Sequence, residues 1–275
     1  FPRVAWKHLY EPIIRKSAGL GPAPTTQDPD TYEHFHAHSD ILVVGGGQAG
    51  LAAARAAGEA GANVILVEQT AHLGGRLLTE GDVSIDGLSG AEWVAAQVAA
   101  LEVMDNVTIR TRMQASGLYD HGYAMLYERL GDHVGNHSGP RHRLWKVRCE
   151  RIVICAGAIE RPLAFANNDV PGVMLAGAVR DYIALWGVAP GRDIVVFANN
   201  DDAYRTAIAA FEAGLKVPAI VDPRTEPSGD LPDRARALGI RIMASSVITK
   251  AKGGKAVDGA IIGNLTPAGR IGGAT

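Results

Sequence analysis

The feature that most constrains the fold is a glycine-rich turn between a short apolar strand and an alanine-rich helix. Residues 40–44 read Asp-Ile-Leu-Val-Val, without alternation, which is typical of a strand covered on both faces. The turn at 45–50, Gly-Gly-Gly-Gln-Ala-Gly, follows directly and leads into a helix predicted over 48–60. A second apolar strand at 63–67 completes a β–α–β unit, whose crossover we expect to be right-handed.

Each glycine of this turn has a different physical task if the turn holds a diphosphate. Gly45 permits the sharp turn, Gly47 lets the backbone approach the anion without a Cβ in the way, and Gly50 lets the helix pack closely on the strand. The helix N-terminus then offers free N–H groups to the anion. Glu68, at the end of the second strand, can accept hydrogen bonds from the adenosine ribose, and its charge favours NAD or FAD over NADP. The alternative is a turn of the same shape that binds nothing.

A second pair of glycines follows shortly after Glu68. Gly74 and Gly75 would let the chain pass close to the diphosphate, and Arg76 could offset the negative charge. Taken alone, the segment could be a simple loop. Together with the first turn, it indicates the superfamily of flavoproteins with two dinucleotide-binding domains.

A second β–α–β unit is altered at its turn. Its predicted elements are a strand at 193–198, a helix over about 202–213 and a strand at 217–221. Glycines would be expected at about positions 198 and 200, where Ala198 and Asn200 stand. Asp201 and Asp202 could cap the helix and would disfavour a pyrophosphate there. We predict that this unit keeps its fold without a nucleotide; a tolerant second site is the alternative.

These two units predict an α/β protein with a Rossmann-like two-dinucleotide-binding-domain flavoprotein fold, in which a second β–α–β domain is inserted after a parallel sheet. The fold is expected to be incomplete at its C-terminus. The predicted domains are an N-terminal extension and linker (1–39), a first dinucleotide-binding domain (40–165, with an irregular insert at 115–145), and a degenerate second domain with the start of the return to the first (166–275). Further predicted elements are a helix at 90–102, strands at 107–110 and 151–156, hairpin character in 119–142, and a hairpin of 246–252 and 255–262.

The composition argues against several classes of function. Lysine and arginine total 27 against 29 acidic residues, a net charge of −2, so no overall basic field suggests nucleic acid or an anionic membrane. The two cysteines, Cys149 and Cys155, form no CxxC, which argues against a dithiol reductase and fits a reducing, cytoplasmic compartment. No apolar run is long enough to span a bilayer and no signal peptide is visible. Because the sequence starts at Phe1, we interpret it as part of a longer polypeptide.

The sequence also resembles a known family, the α subunit of heterotetrameric sarcosine oxidase, over nearly its whole length. The most specific segment is 157–174, which runs from Gly-Ala-Ile-Glu-Arg-Pro to Pro-Gly-Val-Met. Other matching segments are Tyr10-Glu11-Pro12, the 43–51 turn, Tyr119-Asp120-His121, Glu128-Arg129 and the altered second turn at 200–205. The sequence departs from the family at Gln48, where Pro is common, and at Cys155-Ala156, where Ala-Thr is usual and supplies a hydroxyl near the nucleotide.

The resemblance implies a subunit of an amine-oxidising complex. Such complexes demethylate sarcosine oxidatively to glycine, use oxygen and tetrahydrofolate, and release hydrogen peroxide and methylenetetrahydrofolate. The α subunit would bind NAD in the domain seen here, FAD would lie in the β subunit, and FMN near the α/β boundary, with γ and δ subunits as further partners. The family's folate domain lies further toward the C-terminus. Related α subunits serve opine oxidases, cyanide-forming amine oxidases and proline dehydrogenases, so the amine stays open.

Two other functions stay open on the residues alone. A free-standing FAD-dependent NAD(P)H reductase, of the ferredoxin or pyridine nucleotide-disulfide kind, would bind FAD at the first turn and NAD(P)H at the second. The altered second turn and the missing CxxC argue against it. The other function is that of a non-catalytic scaffold that joins subunits. The intact first turn argues against a scaffold that binds no nucleotide.

The predicted site consists of cofactor-binding residues, with no catalytic residue and no metal ligand. The cofactor-binding residues are Gly45, Gly47, Gln48, Ala49, Gly50, Glu68, Gln69, Gly74, Gly75, Arg76, Ala156 and Gly157. His34, His36 and His38 alternate, as metal ligands could, but a polar approach to the first strand explains them better. A polar loop and an ordinary ion pair explain Tyr119, His121 and Arg161 as well as catalysis does.

Overall fold

The computed structural model of this chain describes residues 2–22 and 25–274, and Ala23 and Pro24 of the predicted linker lie outside the described residues. The strands are β1 (Thr31–Val44), β2 (Val64–Val67), β3 (Ser84–Ile85), β4 (Leu88–Ser89), β5 (Val107–Arg110), β6 (Met113–Tyr119), β7 (Tyr123–Arg129), β8 (Pro140–Ile154), β9 (Asp193–Phe197), β10 (Lys216–Val221), β11 (Ile242–Met243), β12 (Ser246–Gly253), β13 (Val257–Leu265) and β14 (Ile271–Ala274). The helices are α1 (Arg3–Ala5), a π-helical turn (Trp6–Tyr10), α2 (Glu11–Ser17), α3 (Gln48–Glu59), a 3-10 turn (Gly75–Leu78), α4 (Gly90–Glu102), α5 (Ala176–Trp186), α6 (Asp202–Glu212) and α7 (Asp230–Ala237).

A six-stranded sheet carries the first β–α–β unit. Its order is β5-β2-β1-β8-β7-β6, in which the first four strands are parallel and the last two are antiparallel. Side chains of β1 and β2 such as Val43 and Leu66 form one core with Leu51 of α3 and Trp93 of α4. Other side chains of the same strands, among them Leu42, pack in a second core with residues of β6, β7 and β8. Both faces of the parallel strands are therefore covered, as their continuous apolar sequences require.

The second unit follows β8 and has its own small parallel sheet, in the order β11-β10-β9. Its core surrounds Tyr204 of α6, whose side chain is fully buried. The antiparallel sheet β12-β13-β14 comes next, and Ala166, in the segment between β8 and α5, is bridged to Lys250 of β12. The predicted α/β class and the second β–α–β unit are confirmed. The division into domains stays a prediction.

Several predicted features differ from the structure. Within the predicted N-terminal extension and linker (1–39), residues 3–17 are helical and β1 starts at Thr31, so the boundary at 39/40 falls inside a strand. The insert at 115–145 is not irregular, because β6, β7 and the first part of β8 extend the sheet. The turn of the later hairpin spans 254–256 instead of the predicted 253–254, so it begins one residue later and ends two residues later.

Candidate nucleotide-binding site

The 45–50 turn joins the carboxyl end of β1 to the N-terminus of α3. Gly45 has φ 104°, and a Cβ there would lie 2.3 Å from the carbonyl oxygen of Cys155. A Cβ on Gly50 would lie 1.8 Å from the carbonyl oxygen of Gly45, so this glycine lets helix and turn approach closely. A Cβ on Gly47 would meet nothing within 4 Å. Gly45 and Gly50 are therefore required by the packing of the protein itself, whereas Gly47 borders open space.

The N-terminus of α3 has no side-chain cap. Gly47 is its N-cap residue and makes no capping bond, whereas α4 begins with a complete capping box between Ser89 and Glu92. The first N–H groups of a helix have no partner within the helix and need a cap, water or a ligand. The end of α3 at the glycine turn is thus open to an anion.

Glu68 follows β2 directly, and its side chain points into the turn. Its side chain is buried, with Oε2 accepting a hydrogen bond from the N–H of Gly46 and Oε1 accepting one from the N–H of Thr70, both at 2.8 Å. Each carboxylate oxygen can accept more than one hydrogen bond, so both retain capacity for ribose hydroxyls. The carboxylate of Glu68 and the uncapped N-terminus of α3 therefore both lie at the 45–50 turn.

The second glycine pair lies against the first turn. The N–H of Gly74 donates to the carbonyl oxygen of Gly46 at 2.8 Å, and a Cβ on Gly75 would lie 3.2 Å from Cα of Gly47. The second glycine pair therefore passes close to the first turn, and its closeness to a bound diphosphate stays a prediction. Arg76, which follows, forms ion pairs with Glu80 and with Asp202 of the second unit.

The remaining predicted residues line the exposed edge around the turn. Ala156 and Gly157 are exposed and follow β8, whose carboxyl end is tied to β1 by the N–H of Cys155 donating to the carbonyl of Val44 at 2.7 Å. Gln48, Ala49 and Gln69 are also exposed, and the carbonyl of Gln69 accepts from Arg129. The carboxyl ends of β1, β2 and β8 thus bring all the predicted residues to one edge of the sheet, the edge where α/β proteins bind ligands.

The second unit has an acid at the corresponding place. Asp222 follows β10 as Glu68 follows β2, but its fully buried carboxylate accepts from the hydroxyl of Tyr204 and from Nη2 of Arg224, both at 2.7 Å. Burial by itself raises the pKa of Asp222, yet the hydrogen bonds of Arg224 and Tyr204 outweigh it and hold the pKa below its usual value. Burial and the bond to Asp222 raise the pKa of Tyr204, so its hydroxyl stays a donor. The carboxylate of Asp222 is therefore already bonded to side chains of the protein.

The two aspartates at the second turn do not cap α6, contrary to the prediction. Asp201 pairs with Arg224 at 2.7 Å, Asp202 pairs with Arg180 at 2.8 Å, and no side-chain cap is present at the N-terminus of this helix. Burial raises the pKa of Asp202, but Arg180 and Arg76 outweigh that effect and lower it. Sequence reasoning missed this arginine–aspartate network. The position of Asp222 at the end of a strand was the available signal.

The alternating histidines, Tyr119 and His121 were weighed in the sequence as other candidate groups. Within residues 2–22 and 25–274, no cluster of three or more His, Cys, Asp or Glu side chains could hold a metal, so His34, His36 and His38 form none. Tyr119 packs against Tyr123 with ring centroids 5.5 Å apart, and the carbonyl of His121 accepts from Arg148. No helix in the described part of the chain is long and apolar enough to cross a membrane.

Comparison with known proteins gives the family context. The profile of the family described as FAD dependent oxidoreductase matches residues 40–133. Sarcosine oxidase subunit alpha of Rhizobium meliloti is 43% identical over 94% of this chain and 26% of its own length, and that of Corynebacterium sp. (strain P-1) is 42% identical over 84% and 24%. The crystal structure of L-proline dehydrogenase from P. horikoshii matches with a TM-score of 0.61 at 20% identity, covering 91% of this chain and 43% of that one.

The fold and these matches define the class of α/β proteins with the two-dinucleotide-binding-domain flavoprotein fold, as predicted. More particularly, the chain is related to the α subunits of sarcosine oxidase, which confirms the resemblance seen in the sequence. The chain spans about a quarter of the length of these curated relatives.

Proposed function

We propose that this chain is the nucleotide-binding portion of the α subunit of a multi-subunit sarcosine oxidase, and that the 45–50 turn binds NAD. The reaction of the complex would be the oxidative demethylation of sarcosine to glycine, with formation of hydrogen peroxide and methylenetetrahydrofolate. The amine would be oxidised at FAD on a partner β subunit, with FMN, γ and δ subunits in the same cytoplasmic assembly. The 43% identity to one sarcosine oxidase α subunit over 94% of this chain supports the assignment.

The single observation that carries dinucleotide binding is the juxtaposition of Gly47 and Glu68. Gly47 gives an uncapped helix end that borders open space, and Glu68 places a carboxylate on the same turn. The first can receive a diphosphate through backbone N–H groups and the second can receive ribose hydroxyls. In this role the chain's residues bind and orient the dinucleotide, and we assign none of them to the chemical step.

FAD at the same turn is the second candidate, because the matched family profile is that of FAD-dependent oxidoreductases. A free-standing reductase would need NAD(P)H in the second unit as well. There the acid that could hold a ribose, Asp222, is already bonded to Tyr204 and Arg224. This occupation favours the subunit over the reductase.

The test is to purify the complete polypeptide, apart from partner chains, and to identify the nucleotide that acid releases from it. Colourless protein that releases NAD supports the proposal. Yellow protein that releases FAD supports the second candidate, and protein that releases no adenine dinucleotide and binds none on titration refutes both. Sarcosine-dependent hydrogen peroxide formation by the assembled complex, compared with other secondary amines, tests the substrate.

A further inference from the structure

The guanidinium of Arg76 is held by carboxylates from two different parts of the fold. Its Nε donates to Glu80, four residues further along the same segment, and its Nη2 donates to Asp202 at the start of α6 in the second unit. Within residues 2–22 and 25–274, none of the bonds of Arg76 uses the remaining amino group, Nη1. A guanidinium has five N–H donors, so Nη1 offers two to a ligand.

Arg76 is close to the glycine turn through its backbone. It follows Gly75, which lies so near Gly47 that a Cβ on Gly75 would be 3.2 Å from Cα of Gly47. Its side chain is 56% exposed, so an incoming anion can reach it. The backbone of Arg76 thus lies beside the glycine turn, and its side chain is oriented by Asp202 of the second unit.

Asp202 is itself fixed in place. Arg180 binds both of its oxygens, Nη1 to Oδ1 at 3.1 Å and Nη2 to Oδ2 at 2.8 Å, and the side chain of Arg180 is only 3% exposed. Since turning Asp202 away would leave a buried cation without its partner, the carboxylate has one stable orientation.

We propose that Asp202 is a positioning residue for the first nucleotide site. It holds Arg76 so that the free Nη1 donates to the diphosphate of a dinucleotide at the 45–50 turn. The inference rests on the proposed function, because it requires a dinucleotide there. It also gives the altered second turn a task, since an aspartate that follows the positions of the missing glycines completes the site of the neighbouring unit.

The direction in which removal of Asp202 changes the affinity for the dinucleotide shows whether Asp202 positions Arg76 or acts only through its charge. Asp202 is an anion, and removing an anion near a diphosphate should strengthen binding if only Coulomb interactions mattered. If Asp202 acts by orienting Arg76, its removal weakens binding, because an unrestrained guanidinium loses side-chain entropy when it meets the phosphate.

The experiment is a calorimetric titration of the complete polypeptide, in its assembled complex and freed of bound nucleotide, with ADP-ribose. We expect Arg76→Gln to weaken binding by about tenfold or more, as for loss of a charge-assisted hydrogen bond, and Asp202→Asn by about three- to tenfold. The double variant should bind no more weakly than Arg76→Gln alone, because Asp202 acts only through Arg76.

The matched control is Asp82→Asn. Asp82 pairs with Arg205 of α6 at 3.2 Å and so also joins the two units, but it does not touch Arg76. Arg205 also donates to Asp202 at 3.4 Å, but the shorter bonds of Arg180 hold Asp202 whether or not Asp82 is charged. Asp82→Asn should leave binding within about twofold, because Arg180 still holds Asp202 and Asp202 still holds Arg76 in this variant. If Asp202→Asn alone does not fold, Arg180→Met/Asp202→Asn replaces it, since it removes the buried cation together with its carboxylate.

Three results would overturn the inference: unchanged or tighter binding by the Asp202 variant, full additivity with Arg76→Gln, or an equal loss in Asp82→Asn. Each leaves the proposed function standing, because the wild type still binds ADP-ribose. A wild type that binds no ADP-ribose refutes the proposed function, and this inference with it.

Discussion

At the scale of single residues, the glycines of the 45–50 turn differ in what a side chain would meet. At Gly45 and Gly50 a Cβ would collide with backbone atoms, so substitution there disturbs folding whether or not a ligand binds. At Gly47 the same Cβ meets open space, and φ is −76°, an ordinary value for any residue. Substitution of Gly47 therefore tests binding separately from folding.

We predict that Gly47→Leu abolishes retention of the dinucleotide and leaves the fold intact. The new side chain would fill the space that the diphosphate needs, without a clash inside the protein. The measurement is nucleotide per polypeptide after gel filtration, with the thermal midpoint recorded alongside. Gly81→Leu is the control, since a Cβ there also meets nothing within 4 Å. Unchanged nucleotide content would show that the diphosphate lies elsewhere.

Glu68 provides the second residue-scale prediction. Glu68→Gln should weaken NAD binding by about tenfold and narrow the preference for NAD over NADP, because the amide lacks the charge that attracts ribose hydroxyls and repels a 2′-phosphate. Equilibrium titration with both nucleotides measures the ratio. The control is Glu59→Gln, because the exposed carboxylate of Glu59 pairs with Arg55. An unaltered ratio would exclude Glu68 as the ribose ligand.

At the scale of elements, local signals were predictable and long-range pairings were not. The structure has α4 at the predicted Gly90–Glu102, because Ser89 and Glu92 mark its start within four residues of sequence. The extension of β1 to Thr31 depends on parallel pairing with β8 more than 100 residues away, for example Phe35 with Trp145. Its exposed, polar sequence gave no sign of that partner.

The candidate site shows the same division. The glycine turn and Glu68 lie within one β–α–β unit, so residue spacing alone was enough to bring them together. The acids of the second turn were recognised in the sequence. However, Asp202 pairs with Arg180 on α5 and with Arg76 near the first turn, and a local sequence pattern does not indicate partners so far away in the chain. Their predicted capping role was wrong for that reason.

The network around Asp222 leads to a prediction about stability and pH. Asp222→Asn should lower the free energy of unfolding by about 2–4 kcal/mol at neutral pH, because a buried charge-assisted pair loses one partner. The pKa of Asp222 is lowered in the folded state, so its contribution is complete above the unfolded aspartate pKa of about 3.9 and is lost as pH falls further.

Urea unfolding of wild type and variant at a series of pH values measures this difference. We expect it to be constant near neutrality and to shrink below about pH 4. Asp193→Asn is the control, because the exposed pair of Asp193 with Lys216 should contribute little. A difference that grows on acidification would contradict the assigned charge state of Asp222.

At the scale of the whole molecule, charged pairs connect the two units. Arg76 with Asp202 and Asp82 with Arg205 each join the first unit to α6, and they form a cluster with Arg180 and Glu80 in which three cations balance three anions. A balanced cluster of this kind fixes one unit against the other without leaving a buried charge unpaired. The altered second turn thus contributes its acids to the contact between the units.

This arrangement predicts a stoichiometry of one adenine dinucleotide per chain. In the first unit the N-terminus of α3 borders open space at Gly47, beside Glu68. In the second unit the acid is bonded to Tyr204 and Arg224, and the N-cap position of α6 carries Asp201, which pairs with Arg224. Titration of the complete polypeptide with NAD should saturate at one equivalent, and Gly47→Leu should reduce this to none. Two equivalents in the wild type, or one remaining in Gly47→Leu, would show that the second unit accepts a nucleotide despite its acids. Saturation at one equivalent that disappears with Gly47→Leu would assign the dinucleotide to the first unit and leave the second with a structural role.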